Sequence, residues 1–134
     1  ELDQALQEKI WLKSGGFLII QQTEAFVAID VNTGKHSSKK DAEENYKQIN
    51  REAALEIARQ LRLRNLSGMI LVDFINMKNT NDQSELLQYM GSLVRSDPMQ
   101  TVVVDVTALG IMEITRKKSA KTLAEQLLQL KKGE

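Results

Sequence analysis

The apolar and polar positions of this chain fall into short blocks that change period several times. From Phe17 to Asn32 the sequence reads FLIIQQTEAFVAIDVN, two β-rich halves flanking Gln22-Thr23-Glu24, which predicts a hairpin whose second strand ends at Asp30. Ahead of it, ELDQALQEKIWLK over residues 1–13 predicts the end of a helix, released by Gly15-Gly16. After a polar loop through Lys40, Asp41 is placed to cap a long helix whose apolar positions Tyr46, Ile49, Ala53, Ile57 and Leu61 recur every three or four residues. Its wet side carries Arg51, Glu52, Glu56, Arg59 and Arg62. Ser67-Gly68 breaks that pattern before MILVDF, an apolar run without alternation that predicts a strand covered on both faces and ending at Asp73. A second helix, roughly Asp82 to Arg95, buries Leu86, Leu87, Met90, Leu93 and Val94 and stops at Asp97-Pro98. TVVVDV predicts another buried strand, IMEITRK after Gly110 an alternating one, and Ser119 a cap for a last helix carrying Leu123, Leu127, Leu128 and Leu130.

Hairpin, helix, strand, helix, strand, strand and helix in that order predict an α/β (α+β mixed) fold, a mixed β-sheet with an N-terminal hairpin and helices packed on its faces. A chain of 134 residues, 42% hydrophobic, suits one domain over 1–134. The first residues read as the end of a preceding helix without a start methionine, so a fragment of a longer protein is expected. Eighteen basic residues balance eighteen acidic ones, which excludes a binder that holds nucleic acid by overall charge and leaves only local contacts. The absence of cysteine removes thiolate chemistry and fits a reducing, cytoplasmic setting. Apolar runs such as Met69 to Val72 are too short to span a bilayer, so no membrane partner is expected.

In open sheets, ligands gather beyond the carboxyl ends of strands, where Asp30, Asp73 and Asp105 all fall. A carboxylate there is costly to bury unless a cation compensates it, and magnesium takes one or two protein carboxylates with water and phosphate completing its shell. Asn32, two residues after Asp30, projects to the same side of a continuing strand. A strand-end aspartate more often caps a turn than holds a metal, and Asn32-Thr33-Gly34 is an ordinary turn sequence. Asp105 is better read as a turn hydrogen bond or a surface ion pair. Arg116-Lys117-Lys118, with Lys121, is the densest basic patch; it suits RNA phosphates and a solvated helix start about equally. His36, the only histidine, reads as a surface residue. Trp11, Phe17, Phe26 and Phe74 read as core rather than base-stacking groups, with Tyr89 open.

Taken together, SGGFLIIQQTEAFVAIDVNTGK, NREAALEIARQLRLRNLSGMILVDFINM and LGIMEITRKK, in this order and at these separations, closely resemble the catalytic region of the ribonuclease E/G endoribonucleases, from about Leu12 to Leu130. No one physical requirement would force QTEA, AIDVNTGK, ARQLRLR and VDF to occur together. The resemblance implies a DNase I-like subdomain in which Asp30 and Asp73 coordinate a catalytic magnesium ion, replaceable by manganese, and Asn32 supports the scissile phosphate. It further implies a hydrolase acting on single-stranded RNA, leaving 5′-phosphate and 3′-hydroxyl ends, in the processing of rRNA and other RNAs and in mRNA decay in the bacterial cytoplasm. It allows a homo-oligomer in a full-length protein. Ala108 stands where many family members carry a basic residue before Leu-Gly. That departure, with the balanced charge, motivates an alternative, a non-catalytic RNA-binding or assembly module that retains the nuclease fold.

Overall fold

A computed structural model describes residues 6–34, 41–118 and 130 of the chain. Among the described residues the strands are β1 (Leu6–Trp11), β2 (Phe17–Gln22), β3 (Val27–Asn32), β4 (Gly68–Asp73), β5 (Thr101–Val106) and β6 (Met112–Arg116), and the helices are α1 (Ala42–Leu63) and α2 (Thr80–Val94). They form one mixed sheet in the order β1-β2-β3-β4-β6-β5. The hairpin expected around Gln22-Thr23-Glu24 is β2 and β3, antiparallel from Phe17↔Asn32 to Gln22↔Val27. Strands β3 and β4 are parallel, and parallel neighbours need a long crossover, which α1 supplies.

Alternation decides which side of the sheet is dry. Leu18, Ile20, Val27, Ile29, Val31, Ile70, Val72, Met112 and Ile114 point to one face and share a single core with Ile49, Ala53, Ile57 and Leu61 of α1 and Leu86, Met90 and Val94 of α2. Burying each such side chain contributes about 1.5–3 kcal/mol, so α1 is fixed far more by this stripe than by its ends. Asp41 indeed precedes α1 but makes no side-chain capping bond, whereas Asn79 caps α2 by accepting from the amides of Asn81 and Asp82.

Two expectations change. Residues 6–11 form a strand, not a helix end: β1 pairs with β2 along its whole length, and that ladder overrides the helix-forming composition of LQEKIW. The runs MILVDF and TVVVDV are not covered on both faces. Met69 is 48% exposed and Val102 53% exposed, because both described helices lie on the core face and β5 is the sheet's edge. The last helix from Ser119, Lys121 and His36 lie outside the described residues.

Candidate functional site

The β3-α1-β4 crossover sets two acidic residues side by side. In the parallel register Asp30 is the partner of Asp73, and neighbouring strands lie about 4.8 Å apart. Both side chains are exposed, on the face opposite the core, since Val27, Ile29 and Val31 of β3 and Ile70 and Val72 of β4 take the core side. Partial burial, and then the neighbouring Asp30 charge, raise the Asp73 carboxyl above its ordinary value of 3.8. Ionising Asp73 is therefore less favourable than ionising a free carboxyl.

Asn32 continues the same face. Its Nδ2 donates weakly to Asp30 Oδ2 at 3.4 Å and to the Asp30 carbonyl at 3.5 Å, so the amide stands beside the carboxylate and is free to turn toward a ligand. Two glycines fix where Asn32 sits. A Cβ on Gly16 would lie 2.7 Å from the Asn32 carbonyl oxygen and 2.9 Å from Ile49, and one on Gly34, at φ +73°, would lie 2.3 Å from the Gly15 oxygen. The β1-β2 turn thus packs directly on the Asn32-Gly34 segment, which only glycine permits. Ser14 anchors that turn to α1, donating its amide (3.0 Å) and hydroxyl (2.8 Å) to Glu52.

The chain beyond Asp73 is held from beneath. Asn50 of α1 is fully buried; its Nδ2 donates to the Ile75 carbonyl at 2.9 Å and its Oδ1 accepts from the Ile75 amide at 3.0 Å. Sequence reasoning passed over Asn50. A polar residue inside an apolar helical stripe was the available signal, because such a residue must satisfy its hydrogen bonds inside the fold.

Two shallow depressions flank the acids. One, about 500 Å³, lies over Asp30, Asp73, Gln21, Phe26, Leu71 and Ile111. The other, about 620 Å³, begins at Asn32 and Thr33 and runs over Lys9, Trp11 and Phe17. The donor set suits a hard divalent cation: two carboxylate groups in register and an adjacent amide, open to water. Among the described residues no group of three or more His, Cys, Asp or Glu side chains could hold a metal, so an ion here would rest on the Asp30–Asp73 pair and complete its shell with water and substrate.

The remaining candidates separate. Asp105 lies on β5 opposite Glu113, and its Oδ1 accepts from the Val106 amide at 2.8 Å, which fits the turn-type role. Arg116 is buried: its guanidinium meets Asp97 at 2.7 Å and also donates to Asn65 Oδ1 and the Leu66 carbonyl. That side chain is engaged inside the fold, because β6 turns it to the core face, and it offers no solvated phosphate contact. Lys117 is exposed. Tyr89 packs under the Arg51 guanidinium, 4.0 Å from its ring centroid, on the helical side of the molecule. Trp11, expected in the core, is 63% exposed.

A sequence model described as the ribonuclease E/G family matches residues 1–119. Among curated proteins, the chain is 43% identical over 122 residues to ribonuclease E of Nostoc sp. (strain PCC 7120 / SAG 25.82 / UTEX 2576), covering 91% of this chain and 18% of that protein. It is 41% identical over 127 residues to ribonuclease G of Escherichia coli (strain K12), covering 95% of this chain and 26% of that protein. Ribonuclease G of Haemophilus influenzae (strain ATCC 51907 / DSM 11121 / KW20 / Rd) is 42% identical over 123 residues, covering 92% of this chain and 25% of that protein. The chain therefore spans about a fifth to a quarter of the length of these relatives. Among the described residues, no helix is long and apolar enough to cross a membrane.

Proposed function

The chain belongs to the ribonuclease E/G family, and from that premise we propose that it carries the catalytic centre of a magnesium-dependent endoribonuclease acting on single-stranded RNA in the cytoplasm. The observation that supports this reading is the register of Asp30 with Asp73 on an exposed sheet face. Asp30 and Asp73 would hold the ion, magnesium or, in its place, manganese. When bound, it supplies a more acidic coordinated water and neutralises charge on the phosphate oxygens. The residues of the chain do the rest. Asp30 and Asp73 bring two negative charges to the point where a cation must sit, and Asn32 turns its Nδ2 from Asp30 to donate to a non-bridging phosphate oxygen. Water adds to phosphorus, the bond to the 3′ oxygen breaks, and that oxygen takes up a proton, leaving a 5′-phosphate and a 3′-hydroxyl. Lys117 remains as an exposed cation for RNA phosphate; Arg116 does not.

The test is cleavage of a 5′-monophosphorylated single-stranded RNA with and without magnesium or manganese. Metal-dependent cleavage that falls by at least about a hundredfold in both Asp30→Asn and Asp73→Asn supports the reading, a loss of roughly 3 kcal/mol in transition-state stabilisation. The second reading, a non-catalytic RNA-binding or assembly module, draws on the zero net charge and the exposed apolar residues Met69 and Val102. A wild type that binds RNA yet never cuts it would establish that module instead.

A further inference from the structure

We propose that Trp11, Phe17 and Lys9 form a stacking subsite for a base of single-stranded RNA next to the scissile phosphate, an extension that rests on the nuclease reading above. The register carries the first part of the argument. Trp11 pairs with Phe17 and Phe17 with Asn32, so the three side chains form one row across the face that bears Asp30 and Asp73. At the usual strand spacing, Phe17 lies about 5 Å and Trp11 about 10 Å from Asn32 along that row.

The chemistry of the row carries the second. The two rings are 5.1 Å apart at 56° to one another, a tilted pair, and Trp11 is left 63% exposed. An exposed indole beside a phenyl ring is the surface on which nucleobases stack without regard to sequence. Lys9 Nζ lies 4.3 Å from the Trp11 centroid and 4.2 Å from that of Phe17, and among the described residues no carboxylate pairs with it. A purely apolar partner covering this patch would bury that ammonium without a counter-charge, which is unfavourable. A polyanion with flat bases satisfies the rings and the ammonium together. The Lys9–Ile19 and Ile19–Asp30 pairs place the lysine in the row that ends at the acids, where a phosphate neighbouring the scissile one would run.

Trp11 is the only tryptophan of the chain, so its emission reports on the subsite alone. The 134-residue chain is titrated with a fluorescein-labelled single-stranded oligoadenylate of about eight nucleotides, without divalent ions so that nothing is cut; Trp11 emission and oligonucleotide anisotropy are both followed. The expected result is saturable quenching of Trp11 that tracks the anisotropy, with Kd about tenfold higher in Trp11→Ala and within about threefold of wild type in Trp11→Phe. Lys9→Gln should lower the slope of log Kd against log salt by about 0.7. Binding without quenching, Trp11→Ala with wild-type Kd, or no binding at all overturns the subsite. Metal-dependent cleavage alongside any of those results leaves the nuclease reading standing without the subsite; quenching and a weakened Trp11→Ala in a chain that never cleaves uphold the subsite and overturn the nuclease.

Discussion

Asn50, buried in α1, holds Ile75 by both of that residue's backbone groups, two positions beyond Asp73. The strand that carries one of the two acids is thereby tied to the helix that crosses from the strand carrying the other. Asn50→Leu leaves the Ile75 amide and carbonyl without partners beneath the sheet, and is expected to lower stability by about 2–4 kcal/mol. It should also reduce cleavage more than its stability loss accounts for, because Asp73 is no longer held. Urea unfolding with cleavage rates measured where the variant remains folded checks both effects.

The same logic of close approach applies to Gly16. Gly16→Ala places a methyl 2.7 Å from the Asn32 carbonyl oxygen, so the Asn32 segment must shift. Cleavage is expected to fall at least tenfold while the far-UV circular dichroism spectrum stays that of wild type. Gly91, over which no atom lies within 4 Å of an added Cβ, provides the control: Gly91→Ala should leave cleavage unchanged.

Asp97 and Arg116 form a buried ion pair with both side chains 3% exposed. Burial pushes the Asp97 carboxyl up, but hydrogen bonds from Arg116, Thr101 and the Met99 amide, with the Arg116 charge, outweigh it and hold Asp97 below its ordinary value of 3.8. A lowered folded value means that the contribution is complete above the unfolded value and is lost as pH falls through the folded one. Wild type should therefore lose stability in acid below about pH 4, and Asp97→Asn, which leaves a buried guanidinium without a counter-charge, should lose about 3–5 kcal/mol at pH 7. The difference between the two proteins should shrink as the pH is lowered. Denaturant titrations at several pH values measure it.

Asp73 behaves in the opposite sense. Its raised value favours the protonated form in the fold, so its stabilising effect is present below pH 3.8 and vanishes as pH rises through the folded value. At pH 7 without metal, Asp73→Asn relieves the burial of charge and the repulsion from Asp30, and Tm should rise by roughly 1 °C, the gain being limited by solvent screening. With excess magnesium the order should reverse, because only wild type gains the stabilisation that ligand binding gives the folded state. Thermal melts with and without magnesium test this.

Much of this arrangement could be read from the sequence. The apolar stripe Ile49, Ala53, Ile57 and Leu61 identified α1 and its buried face, and the ends of two apolar runs located Asp30 and Asp73 as the residues to watch. Their register was not legible, since it depends on how α1 returns the chain to the sheet. The helix expected over 1–13 gives way to β1 at Leu6–Trp11 because helix propensity is local and the pairing with β2 is not. TVVVDV has no alternation, yet Val102 is open to solvent, because both described helices pack on the other face of the sheet, and which face a helix covers leaves no mark in so short a run. Arg116 stood in a run of cations, and only the β6 register shows that it faces Asp97 rather than water. Trp11 lies beside an apolar run, which suits a core residue, but its side of β1 makes it the exposed end of the aromatic row.

The proposed chemistry requires one divalent ion shared by Asp30 and Asp73. Manganese titration followed by electron paramagnetic resonance at pH 7 tests that directly, comparing wild type with Asp30→Asn and Asp73→Asn. The expected result is a saturable site holding a single ion in wild type, displaced by excess magnesium and weakened at least tenfold by either substitution. Binding that survives either substitution with wild-type affinity, or a wild type that binds no manganese, would contradict it.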